Sequence, residues 1–191
     1  MGKKADSEAE LDEHGLVVRK YLCTVLVVMP SEAYDETTMR YARSALYNVQ
    51  VHTRSVSTNE DGLIRGELQD EFQVDGPLEG ETMGPYNGVI FCGGVGSIGL
   101  ARHPDALRLA REASDQDKLV AAWGESVAIL GQAGILRKRK VTGAASLAPS
   151  LRAAGARYTG VQVQVDGKIV TGLDEACGLR FGKALVQIVA I

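Results

Sequence analysis

The sequence is poor in the residues and runs that mark several large classes of protein. It contains only three cysteines, Cys23, Cys92 and Cys177, whose spacing matches no metal-binding motif and whose odd number argues against a disulfide framework. No apolar run approaches the ~18 residues of a membrane span. Residues 1–15 contain no apolar signal-peptide core. We therefore expect no metal, no membrane contact and a reduced, cytoplasmic setting.

An excess of basic charge is also missing. The 21 lysines and arginines are outnumbered by 24 aspartates and glutamates, which gives a net charge of −3. Nucleic-acid-binding surfaces are strongly basic, so we expect no nucleic-acid partner. The apolar fraction of 45% and the charged fraction of 24% are typical of a globular protein.

The apolar runs that are present predict a parallel sheet. Residues 21–29, YLCTVLVVM, are apolar on both faces of a strand, as in the centre of such a sheet. Further strands are predicted at 49–56, 89–92 and 119–123, and Asp35 begins a helical pattern. This alternation predicts an α/β fold: a flavodoxin-like three-layer sandwich with a mainly parallel central sheet and helices on both faces.

The remaining segments are smaller. Residues 59–62, NEDG, are a strong turn signal, and the segments that follow it at 63–64 and 72–74 are predicted to form a small hairpin. Residues 77–85 are predicted to be a loop. Residues 1–18 are polar and lack periodicity, so we expect a flexible tail followed by a single domain over 19–191.

Residues 118–136, KLVAAWGESVAILGQAGIL, organise the chain. An apolar strand leads into a turn at Gly124, Glu125 and Ser126, and a helical apolar pattern follows. This strand–turn–helix order lifts the turn above the carboxyl edge of a parallel sheet, where enzymes of this layout place a nucleophile.

The glycine run at residues 94–99, GVGSIG, matches the G-x-G-x-x-G motif of dinucleotide-binding folds. In those folds the motif opens a helix, which Pro104 would interrupt. The expected acidic residue is also displaced, since Glu125 lies about 30 positions after Gly94 rather than ~20. We therefore expect a flexible glycine loop bordering a pocket and no bound cofactor, with nicotinamide-nucleotide binding as a minor alternative.

Two residues of the turn offer chemistry. Ser126 resembles the nucleophile of a G-x-S-x-G elbow, but no histidine follows it to act as base, so it is either a nucleophile or a hydrogen-bonding residue of the first helical turn. Glu125, kept ionised by the helix start, is either a base or binding group or an ordinary first-turn glutamate.

A cysteine and a basic run are two further candidate functional features. Cys92 ends a strand beside Gly93 and Gly94, so its thiol either borders the same cleft or is a small buried apolar group. The basic run at residues 137–140, RKRK, is either a solvated turn or a site for an acidic partner.

Taken in order, several segments resemble the ThiJ/PfpI superfamily, the parkinsonism-associated deglycase and intracellular protease relatives of class I glutamine amidotransferases. The resemblance covers about residue 21 to the end. The segments are YNGVIFCGG, HPDALRLAREA, KLVAAWGESVAILGQAGILRKRKVTG and VDGKIVTG.

The resemblance implies a site with one substitution. Family enzymes carry a cysteine at the elbow, where this chain has Gly124. The family's helper carboxylate follows the first strand, where Asp35 or Glu36 stands. Backbone amides around Gly93 and Gly94, with Glu125 at the elbow, correspond to the family's anion-binding frame.

These expectations lead to two functional hypotheses. The first is a homodimer without cysteine chemistry, neither a cysteine protease nor a deglycase, that binds a small molecule or anionic ligand or has a regulatory or structural role. The alternative is a repurposed hydrolase or lyase that uses Glu125 with Cys92 or Ser126.

Overall fold

The computed structural model describes residues 20–189. The predicted N-terminal tail, residues 1–18, lies outside the described residues, as do residues 190–191. In chain order the strands are β1 (Cys23–Met29), β2 (Glu32–Tyr34), β3 (Val51–Ser57), β4 (Leu63–Gly66), β5 (Glu71–Gln73), β6 (Gly76–Pro77), β7 (Gly88–Phe91), β8 (Leu119–Trp123), β9 (Lys140–Val141), β10 (Arg157–Tyr158), β11 (Val163–Asp166) and β12 (Ile169–Gly172). The α-helices are α1 (Glu36–Asn48), α2 (Pro104–Asp115), α3 (Val127–Gln132), α4 (Ala148–Ala153) and α5 (Gly178–Ile188).

The central sheet has seven strands in the spatial order β11, β12, β8, β7, β1, β3, β6. Its strand pairs are parallel except for β11 against β12. The run predicted to be a central strand is β1, which pairs with β3 on one side and β7 on the other. The carboxyl ends of β1, β7 and β8 therefore meet at one edge, where ligands bind in folds of this kind.

Helices cover both faces of the sheet, which confirms the predicted three layers. Leu26 and Val28 of β1 point into one core cluster, which also contains apolar residues of α2, α3 and α4. The alternate residues Val25 and Val27 point into the opposite cluster, beneath α1 and α5. Both faces of β1 are buried because side chains alternate along a strand.

The predicted hairpin is confirmed, since β4 and β5 pair antiparallel with Leu63 opposite Gln73. β2 joins this small sheet by pairing in parallel with β4. The prediction of a loop over residues 77–85 needs one correction: Gly76 and Pro77 form a two-residue edge strand beside β3. Proline is tolerated there because an edge strand leaves one side of its backbone unpaired.

The prediction of a flexible glycine loop is corrected as well, because residues Val95–Arg102 form a 3₁₀ helix. This segment packs on β2: a Cβ on Gly96 would lie 1.8 Å from the carbonyl oxygen of Glu32. Glycine here allows two backbones to approach closely, a role different from cradling a pyrophosphate. Pro104 is the first residue of α2, a position where proline is well tolerated.

Candidate functional site

The predicted strand–turn–helix is confirmed at the carboxyl edge of the sheet. β8 ends at Trp123, residues Gly124–Ser126 form a 3₁₀ turn, and α3 follows. Gly124 has φ +59°, a left-handed conformation that other L-residues adopt only at a cost. Nothing lies within 4 Å of the position that its Cβ would occupy. A side chain at the tip would therefore enter open space.

That open space belongs to a cavity with a volume of ≈ 400 Å³, a size that suits a small ligand. Its described lining contains no lysine, arginine or histidine. Five of its lining residues are acidic: Asp35, Glu67, Glu125, Asp174 and Glu175. Like charges concentrated in a concave site create a negative potential, so the cavity favours cations over anions.

Asp35 is the carboxylate most firmly fixed at this cavity. It is buried and caps α1, with Oδ1 accepting a hydrogen bond from the Thr38 amide at 3.1 Å. Its Oδ2 accepts a hydrogen bond from Nε1 of Trp123 at 2.7 Å. Its own amide donates to the carbonyl of Gly93 at 2.9 Å. Asp35 therefore holds the start of α1, the end of β7 and the elbow in one arrangement.

Glu36, the second candidate helper carboxylate, is directed elsewhere. Its Oε1 accepts a hydrogen bond from the amide of Leu68 at 2.6 Å, and its side chain packs on Gly66. Glu36 is buried but does not line the cavity. Of the two positions left open by the sequence, only Asp35 reaches the cavity.

Glu125 is half-buried and lines the cavity. Among residues 20–189 its carboxylate has no hydrogen-bond or ion-pair partner. A carboxylate at the edge of a cavity, with its acceptor positions unused by the protein, is available to a ligand.

Ser126 is fully buried and is absent from the cavity lining. Its Oγ accepts a hydrogen bond from the Trp123 amide at 3.1 Å and lies within donating distance of the carbonyls of Phe91 (2.9 Å) and Trp123 (2.8 Å). The Ser126 hydroxyl thus links the end of β7 to the turn through hydrogen bonds inside the protein. This placement supports the hydrogen-bonding interpretation and argues against a nucleophile.

Cys92 does not line the cavity. It is fully buried in the core that also holds Ile90 and Trp123. Burial raises the pKa of the Cys92 thiol well above its ordinary value, because a thiolate would lose its hydration. The structure therefore supports the interpretation of Cys92 as a buried apolar group.

Gly93 and Gly94, the glycines expected to bind an anion, instead make close contacts with the backbone of neighbouring segments. Gly94, at φ +106°, borders the cavity, and a Cβ there would lie 2.4 Å from the carbonyl oxygen of Ala33. The next amide, that of Val95, donates to Oε1 of Glu67 at 2.8 Å. The protein's own carboxylate thus takes the position at which an anion would approach this amide. Gly93 accepts from Asp35 and lies outside the lining.

Three of the five cavity carboxylates were missed from the sequence as site residues: Glu67, Asp174 and Glu175. Glu67 follows β4, while Asp174 and Glu175 follow β12. Asp174 also caps the short 3₁₀ turn after β12, since its Oδ1 accepts a hydrogen bond from the Ala176 amide at 3.1 Å. The one signal in the sequence is that each of these residues follows a β-type segment. That signal does not show which of the loops lie together around one cavity.

Two further results concern metal sites and membrane-spanning helices. No three His, Cys, Asp or Glu side chains in the described part of the chain are arranged to share a metal ion. No helix within residues 20–189 has the length and apolar character needed to cross a bilayer.

The fold and the elbow at its sheet edge define a class, the flavodoxin-like α/β sandwiches with a strand–turn–helix site. The sequence model of the DJ-1/PfpI family matches residues 23–188. The chain therefore belongs to the DJ-1/PfpI family, as the resemblance predicted.

Several relatives show how far the likeness extends. An uncharacterized protein of Methanocaldococcus jannaschii is 25% identical over 168 residues, which cover 86% of this chain and 81% of the relative. The crystal structure of a ThiJ/PfpI domain protein from Brachyspira murdochii matches with a TM-score of 0.82 and 25% identity, over 86% of this chain and 95% of that one. Drosophila melanogaster DJ-1beta has a TM-score of 0.78 at 19% identity, over 87% and 90% of the two chains, and shows the fold alone.

Proposed function

We propose that this DJ-1/PfpI family protein binds a small molecule carrying an ammonium or guanidinium group, non-covalently, in the cavity above Gly124. One observation carries the proposal: the elbow tip has no side chain and opens into a cavity with five acidic residues and no cationic side chain in its described lining.

The charge arrangement supports a cationic ligand. A unit charge about 5 Å from one carboxylate gains roughly 3 kcal/mol at an effective dielectric constant of about 20, before desolvation is subtracted. Asp35 is held by two hydrogen bonds and supplies a fixed charge. Glu125 has no partner in the described chain and supplies an acceptor that can adjust to the ligand. An anion in the same place would meet repulsion from each acidic residue.

The positions of the candidate nucleophiles support binding without covalent chemistry. Gly124 has no side chain, and Ser126 and Cys92 lie outside the lining. An enzyme that uses Glu125 as a base is the alternative, favoured by the unpartnered carboxylate. Turnover of a cationic substrate that disappears in Glu125→Gln would favour it. The homodimer stays a prediction, which sedimentation equilibrium tests.

Isothermal titration calorimetry with putrescine, and with succinate as a dianion of similar length, tests the proposal. We expect heat of binding for putrescine, none for succinate, and at least about fivefold weaker putrescine binding in Glu125→Gln, equivalent to ~1 kcal/mol. The matched control is Glu60→Gln, an exposed glutamate outside the cavity. Binding of succinate in place of putrescine, or putrescine affinity unchanged in Glu125→Gln, would overturn the proposal.

A further inference from the structure

A second cavity, which we call the side cavity, adjoins the cavity above Gly124. It has a volume of ≈ 630 Å³ and is lined by residues of β2, β4 and β5 and by Val95, the first residue of the 3₁₀ helix. Glu67 and Val95 line both cavities and therefore form a shared wall. A ligand bound above Gly124 has the side cavity directly beside it.

The side cavity has an apolar wall that is open to solvent. Ala33, Leu63, Ile64 and Val95 contribute to its lining. Leu63 is 43% exposed and Val95 is 57% exposed. Large apolar side chains that stay exposed in one groove mark a place where a ligand can cover them. Because Val95 also lines the first cavity, a hydrocarbon chain that lies over it passes from one cavity to the other.

The described lining of the side cavity has a surplus of negative charge. Its acidic residues are Glu32, Glu67 and Glu71, and its one described cationic residue is Arg65. Arg65 forms an ion pair with Glu71 at 2.7 Å, so these two charges offset each other. Glu32 is exposed, and its carboxylate has no hydrogen-bond or ion-pair partner among residues 20–189. Glu32 and Glu67 are therefore the two carboxylates of this lining without a cationic partner in the described structure.

Glu67 lies between the two cavities in a fixed position. Its Oε1 accepts a hydrogen bond from the Val95 amide at 2.8 Å, which holds the carboxylate at the shared wall. Its Oε2 has no partner within the described range and stays available as an acceptor. Carboxylates thus follow one another from Glu125 in the first cavity, through Glu67, to Glu32 in the side cavity.

The size of the first cavity sets the length of a ligand that uses both. A volume of ≈ 400 Å³ is roughly 9 Å across if the cavity is treated as a sphere. An extended chain advances about 1.25 Å per bond at ordinary bond lengths and angles. Terminal nitrogens are then ~6 Å apart across a four-carbon chain and ~11 Å apart across a chain of eight atoms. The shorter chain fits inside the first cavity, whereas the longer chain extends into the side cavity.

We propose that the ligand of this site is a linear triamine that spans both cavities. Its terminal ammonium groups lie beside Glu125 and Glu32, its middle ammonium lies beside Glu67, and its methylene groups cover Val95. The inference rests on the proposed function, since one ammonium group occupies the cavity above Gly124. It adds the chemical class of the ligand and a role for the side cavity.

Isothermal titration calorimetry with three amines tests this inference. Spermidine has a chain of eight atoms between its terminal nitrogens, one of which is the middle amine. The diamine 1,8-diaminooctane has the same length without that amine, and putrescine is the short diamine. At about 0.15 M ionic strength, where distant charges are screened, we expect spermidine to bind at least about tenfold more tightly than putrescine. The affinity of 1,8-diaminooctane should lie between the two.

Two variants assign this advantage to particular carboxylates. Glu32→Gln should lower the ratio of the spermidine affinity to the putrescine affinity about threefold, the effect of losing one exposed ion pair. Glu67→Gln keeps an oxygen acceptor for the Val95 amide and should lower the ratio of the spermidine affinity to the 1,8-diaminooctane affinity by a similar factor. The matched control Glu60→Gln, at an exposed glutamate outside both linings, should leave both ratios unchanged.

The outcomes separate this inference from the proposed function. Putrescine binding without a gain for spermidine would overturn the triamine and leave the proposed function standing. Equal affinities for spermidine and 1,8-diaminooctane, or ratios that stay unchanged in Glu32→Gln and Glu67→Gln, would do the same. If none of the three amines binds, the proposed function fails and this inference fails with it.

Discussion

Gly124 determines the chemistry at the tip of the elbow. Its backbone has a left-handed φ of +59°, and its missing side chain leaves open space in an acidic cavity. A cysteine placed there would meet two opposing conditions. The space accepts a thiol, but neighbouring carboxylates disfavour the thiolate, since a like charge raises the pKa of an acid. The glycine at the tip of the elbow and the surplus of acidic residues in the cavity lining are therefore consistent with each other.

Replacing Gly124 by cysteine should give a slow thiol. We expect the pH profile of alkylation by iodoacetamide to have its midpoint above about 8.5, the ordinary thiol value. A second change, Glu125→Gln, should shift that midpoint downward because it removes one negative charge. Peptide mass spectrometry separates residue 124 from Cys23, Cys92 and Cys177. A midpoint below 7 in Gly124→Cys would contradict the electrostatic description of the cavity.

Gly124→Ala serves as the control for backbone strain. Both variants force an L-residue to φ +59°, which costs about 1–2 kcal/mol. We expect both to lower Tm by about the same amount, roughly 2–8 °C for a chain of this length. Reactivity can then be compared between folded proteins of similar stability.

Among the elements, the 3₁₀ helix Val95–Arg102 shows what the glycine motif does. Its start borders the cavity through Val95, and its backbone packs on β2 at Gly96. The contact lies 1.8 Å from an ideal Cβ, too close for any side chain. Gly99 belongs to the same motif and the same helix, yet its Cβ position is open. Two glycines of one motif therefore have different structural roles.

Gly96→Ala should be destabilising and Gly99→Ala should be nearly neutral. A clash with backbone cannot be relieved by a rotamer change, and overpacking of this kind costs about 1–3 kcal/mol or more. At Gly99 the added methyl meets no atom within 4 Å, so we expect a change within about 0.5 kcal/mol. Urea unfolding measures both. Equal free energies of unfolding in the two variants would show that the packing of this helix on β2 is not required.

The larger elements were predictable because burial leaves a pattern in the sequence. β1 is apolar at successive positions since both of its faces are covered, and the pattern of residues 21–29 shows this directly. β2 was missed. It is three residues long, and Ala33 has φ +48°, a conformation that residue type does not predict.

The candidate site was predictable only in part, for a different reason. The elbow is local, so residues 124–126 could be identified from one stretch. The cavity wall combines Asp35, Glu67 and Asp174, which lie far apart in the chain and meet only through the sheet order. Whether Ser126 and Cys92 reach the cavity depends on how deeply their side chains are buried. The sequence pattern does not give the depth of an individual side chain.

At the scale of the whole molecule, several carboxylates link stability to pH. Burial acts to raise the pKa of Glu112, but hydrogen bonds from Arg108 (2.7 Å) and from the Met83 amide (3.1 Å) together lower it below the ordinary value. Burial also acts to raise the pKa of Asp75, but hydrogen bonds from the hydroxyl and the amide of Ser55 together lower it below the ordinary value. A carboxyl with a lowered folded-state pKa contributes stability above its unfolded pKa and loses it as the pH falls through the folded value.

The free energy of unfolding should therefore decrease as the pH falls below about 4.3, the ordinary glutamate value, toward about 2. Glu112→Gln keeps only one of the two acceptor oxygens that Arg108 and the Met83 amide use, so it should be less stable near neutral pH. Because it cannot titrate, its stability should fall less steeply in this range. Urea titrations at a series of pH values measure the slope. Glu60→Gln, at an exposed glutamate with no hydrogen-bond or ion-pair partner in the described structure, should retain the native slope. If the free energy of unfolding falls equally steeply with pH in Glu112→Gln and in the native protein, Glu112 does not contribute to the acid sensitivity.

The hydrogen bond between Asp35 and Trp123 also has a spectroscopic consequence. Trp123 is the only tryptophan in the sequence, and its indole joins residues 88 positions apart at the wall of the cavity. Tryptophan emission from the native protein therefore originates from one place, beside the proposed ligand. The intrinsic fluorescence of the unmodified chain is thus a direct optical readout of both cavity occupancy and the closing of the Asp35 contact during folding.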